Sequence, residues 1–394
     1  MRIIHVIPYM HPAAGGPPVV VDQLSRELAG RGHQLRVLTT DLFANGDRAW
    51  TTAQQRPYRL DVFSAVAGNR FGFSVGLGKQ IPQVVRSCDV VHIHTLWTFA
   101  NIAAARACRG ARIPFLVMPH GMLDPWALSR SRWKKRVVGA LFQDQDLRAA
   151  NCIHALNERE VDGVRAYGLK SPVAVIPNGI HFPDFEPLPP ESVFRAAFPE
   201  TRGKKLILFM ARLHVKKGLE HLLHAWSRLY RQSSEWHLII AGPDGGFGMR
   251  AQELVNELKL KCAVTFTGNL QGNLRLAALS AADLFVLPSF SEGFSMAVLE
   301  AFACRLPALI TPGCNFREAV AAGAAIEVSP DPDDTEKGLR DLLSASDQER
   351  EAMGQRGRAL VEKAYTRDGV TAQMLELYRW LVGGGERPAT LTAK

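Results

Sequence analysis

Short apolar runs alternate with segments of helical periodicity along the whole chain. Residues 2–8 form the first apolar run, positions 21, 24 and 28 then recur at helical spacing, and 35–39 forms the second run. Further strands are predicted at 90–94, 115–118, 152–156, 173–176, 206–210, 238–241, 264–266, 284–287, 308–311 and 325–328. Helical patterns separate most of these runs, and such alternation predicts parallel sheets with helices on both faces.

A proline-rich stretch without periodicity, residues 183–199, interrupts this alternation once. We therefore predict a first domain at 1–182, a linker at 183–203 and a second domain at 204–365. A C-terminal helix and tail at 366–394 are expected to pack back towards the first domain. The predicted fold class is α/β, with two Rossmann-like, doubly wound parallel-sheet domains facing each other across a cleft, which suits a chain of 394 residues.

Composition narrows the classes of protein without choosing a function. The hydrophobic content of 47% and charged content of 22% are ordinary for a globular protein. The six cysteines are scattered without a CxxC pair, which argues against a zinc knuckle or a disulfide framework. No apolar run is long enough to span a membrane, and residues 2–8 lack the features of a signal peptide, so we expect a cytoplasmic location. The net charge of +9 indicates an anionic partner, which charge alone cannot identify as nucleic acid, phospholipid or phosphorylated substrate.

The most specific motif is the segment 289–300, which follows a predicted strand and opens a helix near Ser295. Glu292 and Glu300 lie eight positions apart, a separation of about 12 Å if the stretch were helical, which suits two ends of an elongated ligand. The N–H groups at the helix start are a natural seat for a diphosphate. A solvated pair on an amphipathic helix is the alternative, but Gly293 and the apolar neighbours of Glu300 favour a partly buried carboxylate.

A second motif, residues 211–218, follows the first strand of the second domain. Ligands of doubly wound sheets bind at the carboxyl ends of the strands, where Arg212 and Lys217 can neutralise a diphosphate. An exposed basic turn is the alternative interpretation of this motif taken by itself.

Together these residues resemble the family 4 retaining glycosyltransferases of the GT-B fold. The resemblance extends over essentially the whole chain and includes Gly15, Gly16, the turn at 177–179 and the turn at 242–244. One departure is that Ile180 is followed by His181 where relatives often carry an aspartate, which weakens any role assigned to that position.

The resemblance implies a role for each matching residue. Arg212 and Lys217 would bind the pyrophosphate and stabilise charge on the leaving nucleotide, Glu300 would hold the ribose hydroxyls, and Glu292 would contact the sugar. His120, which ends a strand and precedes a glycine, matches a histidine that lies against the sugar of the nucleotide sugar. A structural histidine is the alternative for that position.

Further residues of the nucleotide-sugar site follow from the same resemblance. The amides of Gly293, Phe294 and Ser295 would cradle phosphate. Gly15 and Gly16 would let the first domain's backbone approach the reacting centre, and Gly242 would belong to the same site.

The acceptor is expected near Trp97, Asp124 and Trp126, because aromatic faces suit sugar rings, although core packing of both tryptophans is the default alternative. The mechanism implied is metal-independent retention without a cofactor. Residues 144–146 spell the DxD of the other major glycosyltransferase fold, but they follow an apparent helix, so a solvated or capping acidic pair is the better interpretation.

The basic segment 130–142 carries Arg130, Arg132, Lys134, Lys135 and Arg136 together with apolar residues. It suits peripheral contact with the inner face of the cytoplasmic membrane or a lipid diphosphate acceptor. A solvated helix whose apolar stripe packs on the core is an equal alternative.

The predicted function is transfer of a hexose or related sugar, from a UDP-sugar by family frequency, to a saccharide or lipid-linked acceptor in exopolysaccharide or lipopolysaccharide synthesis. The alternatives are a nucleotide-sugar epimerase, a phosphorylase and a non-catalytic sugar-nucleotide-binding protein. An oxidoreductase is disfavoured because residues 15–18 read Gly-Gly-Pro-Pro rather than GxGxxG. Nucleic-acid binding rests on net charge alone, so no nucleic-acid partner is expected.

Overall fold

The computed structural model describes residues 1–392 except 12–15, 45–46, 48, 53–54, 67–70, 125–127, 129–132, 134–136 and 138. Gly15, Trp126 and the cations Arg130, Arg132, Lys134, Lys135 and Arg136 therefore lie outside the described residues. The chain forms two compact units, one of Met1–Asn178 with Arg367–Lys394 and one of Gly179–Thr366.

The first unit is built on a seven-stranded parallel sheet of order β3-β2-β1-β4-β5-β6-β7. Its strands are β1 Arg2–Tyr9, β2 Gln34–Thr40, β3 Arg59–Phe63, β4 Val90–His94, β5 Phe115–Met118, β6 Cys152–Ala155 and β7 Val173–Val175. Its helices up to that point are α1 Gly16–Gly30, α2 Ala49–Thr52, α3 Val75–Val85, α4 Phe99–Ala111, α5 Asp144–Ala149 and α6 Glu158–Ala166.

Burial explains which of these strands the sequence predicts. Every residue of β4, β5 and β6 is buried, as expected for central parallel strands covered on both faces. Strand β3 was not predicted, because it mixes charged and apolar residues and lies at the edge of the sheet. It was therefore too polar to stand out as a buried apolar run.

The second unit has a six-stranded parallel sheet of order β10-β9-β8-β11-β12-β13. Its strands are β8 Lys205–Met210, β9 Trp236–Ala241, β10 Val264–Gly268, β11 Leu284–Leu287, β12 Ala308–Ile310 and β13 Ala325–Glu327. Its helices are α7 Glu191–Ala197, α8 Leu219–Leu229, α9 Gly248–Glu257, α10 Gly272–Ala281, α11 Met296–Ala303, α12 Arg317–Ala321, α13 Pro332–Ser344 and α14 Asp347–Ala364.

The stretch predicted as a linker, residues 183–203, has structure of its own within the second unit. It contains α7 and two short 3₁₀ helices, Phe182–Phe185 and Pro199–Thr201. Phe194 of α7 is completely buried in the hydrophobic core of that unit. The boundary between the units instead falls between Asn178 and Gly179.

The C-terminal region forms α14 and a final helix, α15, at Arg367–Leu381, which lies in the segment predicted as a C-terminal helix and tail. Helix α15 belongs to the first unit, where Met374 and Tyr378 are buried in one cluster with residues of β1 and α1. Within the described part of the chain, no helix combines the length and the apolar character needed to cross a bilayer.

Candidate active site

In the second unit the strand order reverses at β8, which lies between β9 and β11. Doubly wound sheets bind ligands outside the carboxyl ends of their strands at such a switch point. The loops that follow these three strands carry Arg212, Gly242 and Glu292. The fold thus gathers the predicted nucleotide-sugar residues of this unit at one edge of the sheet.

Backbone hydrogen bonds tie these loops to one another. Leu213 N–H donates to the carbonyl of Pro243 at 2.9 Å, and Phe290 N–H donates to the carbonyl of Lys216 at 2.8 Å. Glu292 N–H donates at 2.8 Å to the carbonyl of Gly313, in the loop after β12. Four strand ends therefore support one another, which favours a preformed site.

Two glycines permit this close approach. Gly242 has φ 146°, and a Cβ there would lie 1.9 Å from the carbonyl oxygen of Ala211. Gly218, with φ 69°, would bring a Cβ to 1.9 Å from the carbonyl oxygen of Pro288. Since real Cβ atoms do not come so near a backbone oxygen, only glycine fits at either position.

Lys217 and Glu292 form the central ion pair of this edge. The Lys217 ammonium lies 2.6 Å from Oε1 and 2.7 Å from Oε2 of Glu292, and the Ser289 hydroxyl donates to Oε1 at 2.6 Å. The two side chains are 18% and 9% exposed. Asn315 donates its amide N–H to the Glu292 carbonyl at 2.6 Å, so both ends of that residue are held.

Arg212 is the exposed cation of the site. Its aliphatic stem lies against Gly245, where a Cβ would be 2.7 Å from Arg212 Cγ. In the part of the chain that the structure describes, its guanidinium has no hydrogen-bond partner. Five N–H donors are therefore available to an anionic ligand, whereas the charge of Lys217 is shared with Glu292.

The start of α11 supplies backbone donors beside this pair. Ser295 caps the helix by accepting from Val298 N–H at 3.5 Å. The Phe294 ring packs against Phe316 and Tyr365, at centroid distances of 5.5 and 5.7 Å. Among the described residues, no acceptor meets the N–H groups of Phe294 and Ser295, which suits them to phosphate binding.

Glu300, on α11, is paired with Arg275 of α10, and their side chains are 15% and 31% exposed. Sequence reasoning missed Arg275, because it stands in a short helix with no motif around it. The ion pair holds the Glu300 carboxylate in one orientation, which suits a residue that binds hydroxyl groups.

The first unit has a corresponding switch point between β1 and β4. Gly16 begins α1 after β1, and Trp97 lies in the loop after β4. The Trp97 ring packs against the core and lies 6.2 Å from the Tyr167 ring, while its backbone N–H donates to Gln143 at 3.0 Å. Core packing therefore accounts for the ring contacts of Trp97, whereas its indole Nε1 is buried without a hydrogen-bond partner among the described residues.

His120 follows β5 with φ 53° and precedes Gly121, with φ 75°. Its Nε2 lies 3.2 Å from Nδ1 of His94. Burial lowers the pKa of His120 to about 3, so its ring is neutral at physiological pH. The neutral ring can exchange hydrogen bonds with a sugar without adding charge.

The segment around Asp124 is supported by α6. Asp124 is 9% exposed on its side chain and lies 3.5 Å from Arg159. Glu160, which sequence reasoning missed, accepts from Leu156 N–H at 2.7 Å. Burial raises the pKa of Glu160 to about 7.

The acidic pair of the DxD-like segment has protein partners. Asp144 accepts from the Tyr167 hydroxyl at 2.7 Å, and Asp146 is buried and accepts from Arg109 at 2.8 Å. In the basic segment, Trp133 and Val137 are 68% and 49% exposed.

Comparison with known proteins identifies this chain as a glycosyltransferase. The family described as "Glycosyltransferase Family 4" matches residues 14–182, and the family described as "Glycosyl transferases group 1" matches residues 191–360. The chain belongs to the family 4 glycosyltransferases, as its motifs predicted.

Two relatives are similar over most of their length. The GDP-mannose:cellobiosyl-diphosphopolyprenol alpha-mannosyltransferase of Xanthomonas campestris is 26% identical over 348 residues, 84% of each chain. The D-inositol 3-phosphate glycosyltransferase of Kineococcus radiotolerans is 26% identical over 410 residues, 95% of this chain and 93% of the relative.

Solved structures share the fold. HepE of Anabaena, in complex with UDP and glucose, matches with a TM-score of 0.78 and 18% identity, covering 96% of this chain and 99% of HepE. Sucrose-phosphate synthase of Thermosynechococcus elongatus matches with a TM-score of 0.77 and 20% identity, covering 98% and 100%. The predicted GT-B fold is confirmed.

Proposed function

We propose that this glycosyltransferase moves a hexose or related sugar from a nucleotide-diphosphate sugar to a saccharide or lipid-linked acceptor in surface polysaccharide synthesis. The reaction in this proposal retains the anomeric configuration and needs no metal ion. The observation that carries it is the arrangement of Arg212, the Lys217–Glu292 pair and the start of α11 at one sheet edge.

The charges of these groups suit a leaving diphosphate. In the proposed step the bond from C1 to the phosphate oxygen breaks, and a bond from C1 to the acceptor oxygen forms on the same face. The acceptor hydroxyl gives its proton to the leaving diphosphate, which becomes the nucleoside diphosphate. Arg212, Lys217 and the N–H groups of Phe294 and Ser295 stabilise the negative charge that develops there.

The remaining roles follow the predicted ones. Glu300 binds the ribose hydroxyls, Glu292 binds the transferred sugar, and His120 contacts that sugar. A UDP-sugar is our first candidate, supported by the UDP complex of the structural relative HepE. The Xanthomonas relative is named for GDP-mannose, so a GDP-sugar is the second candidate.

An apolar cavity in the first unit supports a lipid-linked acceptor. Its volume is about 600 Å³, and its lining includes Phe71, Phe73 and Phe99 together with Arg86 and Arg106. The apolar lining suits the hydrocarbon chain of a polyprenyl carrier, and the two guanidinium groups suit its diphosphate. The Xanthomonas relative is named for such an acceptor, a diphosphopolyprenol.

The exposed side chains of Trp133 and Val137, with the five cations around them in sequence, support peripheral contact with an anionic membrane. We therefore place the enzyme at the inner face of the cytoplasmic membrane in this proposal. Liposome co-sedimentation that persists unchanged in a Lys134→Ala/Lys135→Ala/Arg136→Ala variant would contradict this location.

A panel of UDP-, GDP- and ADP-sugars, incubated in EDTA with saccharide and polyprenyl-diphosphate acceptors, tests the proposal. We expect nucleoside diphosphate release from one nucleotide sugar and, by proton NMR, an α linkage from an α-linked substrate. Arg212→Ala should abolish release, and the exposed Arg340→Ala, on α13, is the matched control.

The epimerase and the non-catalytic binding protein would each give a distinct result in the same experiment. An epimerase would convert the nucleotide sugar without an acceptor and without releasing nucleotide. A sugar-nucleotide-binding protein would bind one member of the panel and turn over none. Loss of activity in EDTA that Mg²⁺ or Mn²⁺ restores would contradict the metal-independent mechanism.

A further inference from the structure

A relay of hydrogen bonds crosses the interior of the first unit, and the proposed reaction uses only its last member, His120. Its members are five histidines and a tyrosine: His5 in β1, His92 and His94 in β4, His154 in β6, His120 after β5 and Tyr378 in α15. All except His120 are at most 3% exposed. So many buried polar groups are costly unless each has a partner.

Each member bonds to the next. The contacts, in order, are Ile176 O to His154 Nε2 at 2.8 Å, His154 Nδ1 to His92 Nε2 at 3.3 Å, His92 Nδ1 to Tyr378 Oη at 2.8 Å, Tyr378 Oη to His5 Nε2 at 3.4 Å, His5 Nδ1 to His94 Nε2 at 3.1 Å, and His94 Nδ1 to His120 Nε2 at 3.2 Å. The series starts at a backbone carbonyl and ends at His120.

The carbonyl fixes the direction of the whole series. A carbonyl oxygen only accepts, so the ring proton of His154 is on Nε2 and its Nδ1 is an acceptor. His92 must then donate from Nε2 and accept at Nδ1 from the Tyr378 hydroxyl. That hydroxyl has one proton, so it accepts from Nε2 of His5 in turn.

The same constraint continues to the end of the series. His5 accepts at Nδ1 from Nε2 of His94, and His94 accepts at Nδ1 from Nε2 of His120. Neutral rings are required throughout, and burial lowers the pKa of His5 to about 3 and of His154 to about 4. All five histidines therefore carry their proton on Nε2.

We infer that this relay fixes His120 as the Nε2–H tautomer, so that its Nδ1 is a hydrogen-bond acceptor for a hydroxyl of a sugar substrate. In the described part of the chain, the His120 ring makes its hydrogen bond through Nε2, to His94, and Nδ1 makes none. A ligand group that can only accept a hydrogen bond would meet a lone pair there and be disfavoured. The substrate role of Nδ1 rests on the proposed function, whereas the tautomer does not.

Tyr378 is a positioning residue in this account. Its hydroxyl lies between His92 and His5 and so joins the two halves of the relay. Tyr378 is on α15, the C-terminal helix that belongs to the first unit. Without its hydroxyl, the Ile176 carbonyl still fixes His154 and His92. His5, His94 and His120 lose that constraint, because nothing then prevents Nδ1 protonation along their part of the relay.

A bound metal ion is the competing explanation for part of this cluster. One nitrogen from each of His5, His92 and His94 lies within 4.8 Å of the others. A metal would need lone pairs on nitrogens that are now engaged between rings, with His5 and His94 bonded directly to each other. The relay accounts for every one of these contacts without an ion.

Long-range ¹H–¹⁵N correlation of the full-length protein, labelled with ¹⁵N-histidine, reports each ring's tautomer in the absence of substrate. We expect Nε2–H forms for all five histidines in the wild-type protein. In Tyr378→Phe we expect His92 and His154 to keep that form, while His5, His94 and His120 become tautomer mixtures. Tyr58→Phe, a buried tyrosine of the same unit outside the relay, should change none of them.

The kinetic counterpart is a loss of about two- to tenfold in kcat/KM for the sugar substrates in Tyr378→Phe, the value of one ligand hydrogen bond. An Nδ1–H form of His120 in the wild type would overturn the relay, as would stoichiometric zinc in the purified protein. Unchanged tautomers in Tyr378→Phe would do the same. Altered tautomers with unchanged kinetics would overturn the substrate role alone, and absent turnover in every protein would reject the proposed function while the tautomers remain readable.

Discussion

Removing one member of the Lys217–Glu292 pair should destabilise the second unit, whereas removing both should cost much less than the sum. In Lys217→Met the Glu292 carboxylate, 9% exposed, keeps the Ser289 hydroxyl but loses its only described counter-charge. In Glu292→Gln the ammonium of Lys217 is left half-buried beside a neutral amide. The double variant leaves no unpaired charge.

The magnitude follows from the geometry. Two unit charges 2.6 Å apart attract by about 6 kcal/mol at an effective dielectric constant of 20, and desolvation offsets part of this. Breaking buried pairs costs about 3–5 kcal/mol, and Lys217 is still 18% exposed, so we expect about 3 kcal/mol for Lys217→Met. We expect about 2 kcal/mol for Glu292→Gln and about 2 kcal/mol for the double variant, an interaction energy of about 3 kcal/mol.

Urea unfolding of the four full-length proteins measures these free energies, and nucleotide release measures activity in the same samples. Lys337→Met, an exposed lysine of α13, is the control for the loss of one positive charge. The double variant should be folded but inactive, because the proposed function assigns both side chains to the nucleotide sugar. Additive single effects, or activity retained in the double variant, would refute this reasoning.

Three further predictions concern residues around the two candidate site edges. Because burial raises the pKa of Glu160 from 4.5 to about 7, the folded protein holds a proton that the unfolded chain releases. Its free energy of unfolding should therefore fall by about 3 kcal/mol between pH 4.5 and pH 7 through this group, and thermal unfolding of Glu160→Gln should lack that decrease. Gly242→Ala should cost at least about 2 kcal/mol in urea unfolding, since its Cβ would meet the Ala211 carbonyl, whereas Gly30→Ala, in open space, should cost nothing. Arg275→Ala should raise KM for the nucleotide sugar about tenfold, equivalent to about 1.4 kcal/mol, because the Glu300 carboxylate would lose the ion pair that orients it. An unchanged KM would show that Glu300 does not bind the nucleotide sugar.

Much of the fold was predictable because parallel strands are short, apolar and regularly spaced. All six predicted strands of the second unit are present, and so is the helix that begins near Ser295. The exception in the first unit, β3, lies at the sheet edge and is too polar for an apolar run to reveal it. The stretch predicted as a linker has structure of its own, because proline-rich sequence at 183–199 also forms short helices.

The candidate site was predictable where a residue stands at a strand end inside a recognisable motif. Arg212, Lys217 and Glu292 meet that condition, and the switch point at β8 brings them to one edge. Arg275 and Glu160 do not meet it. Arg275 is notable for its ion pair with Glu300, which is distant in sequence, and Glu160 for its burial, and a sequence motif shows neither. The relay histidines look like ordinary strand residues until the register places them side by side.

Calorimetric titration of the purified full-length protein with UDP and GDP, in EDTA, tests most directly whether the sheet edge at β8 holds the nucleotide. We predict binding of one nucleotide in the wild type and in Arg340→Ala, and at least a tenfold weaker affinity in Arg212→Ala, equivalent to about 1.4 kcal/mol. Equal affinity in all three proteins, or no binding of either nucleotide, would contradict the assignment of this edge as the nucleotide-sugar site.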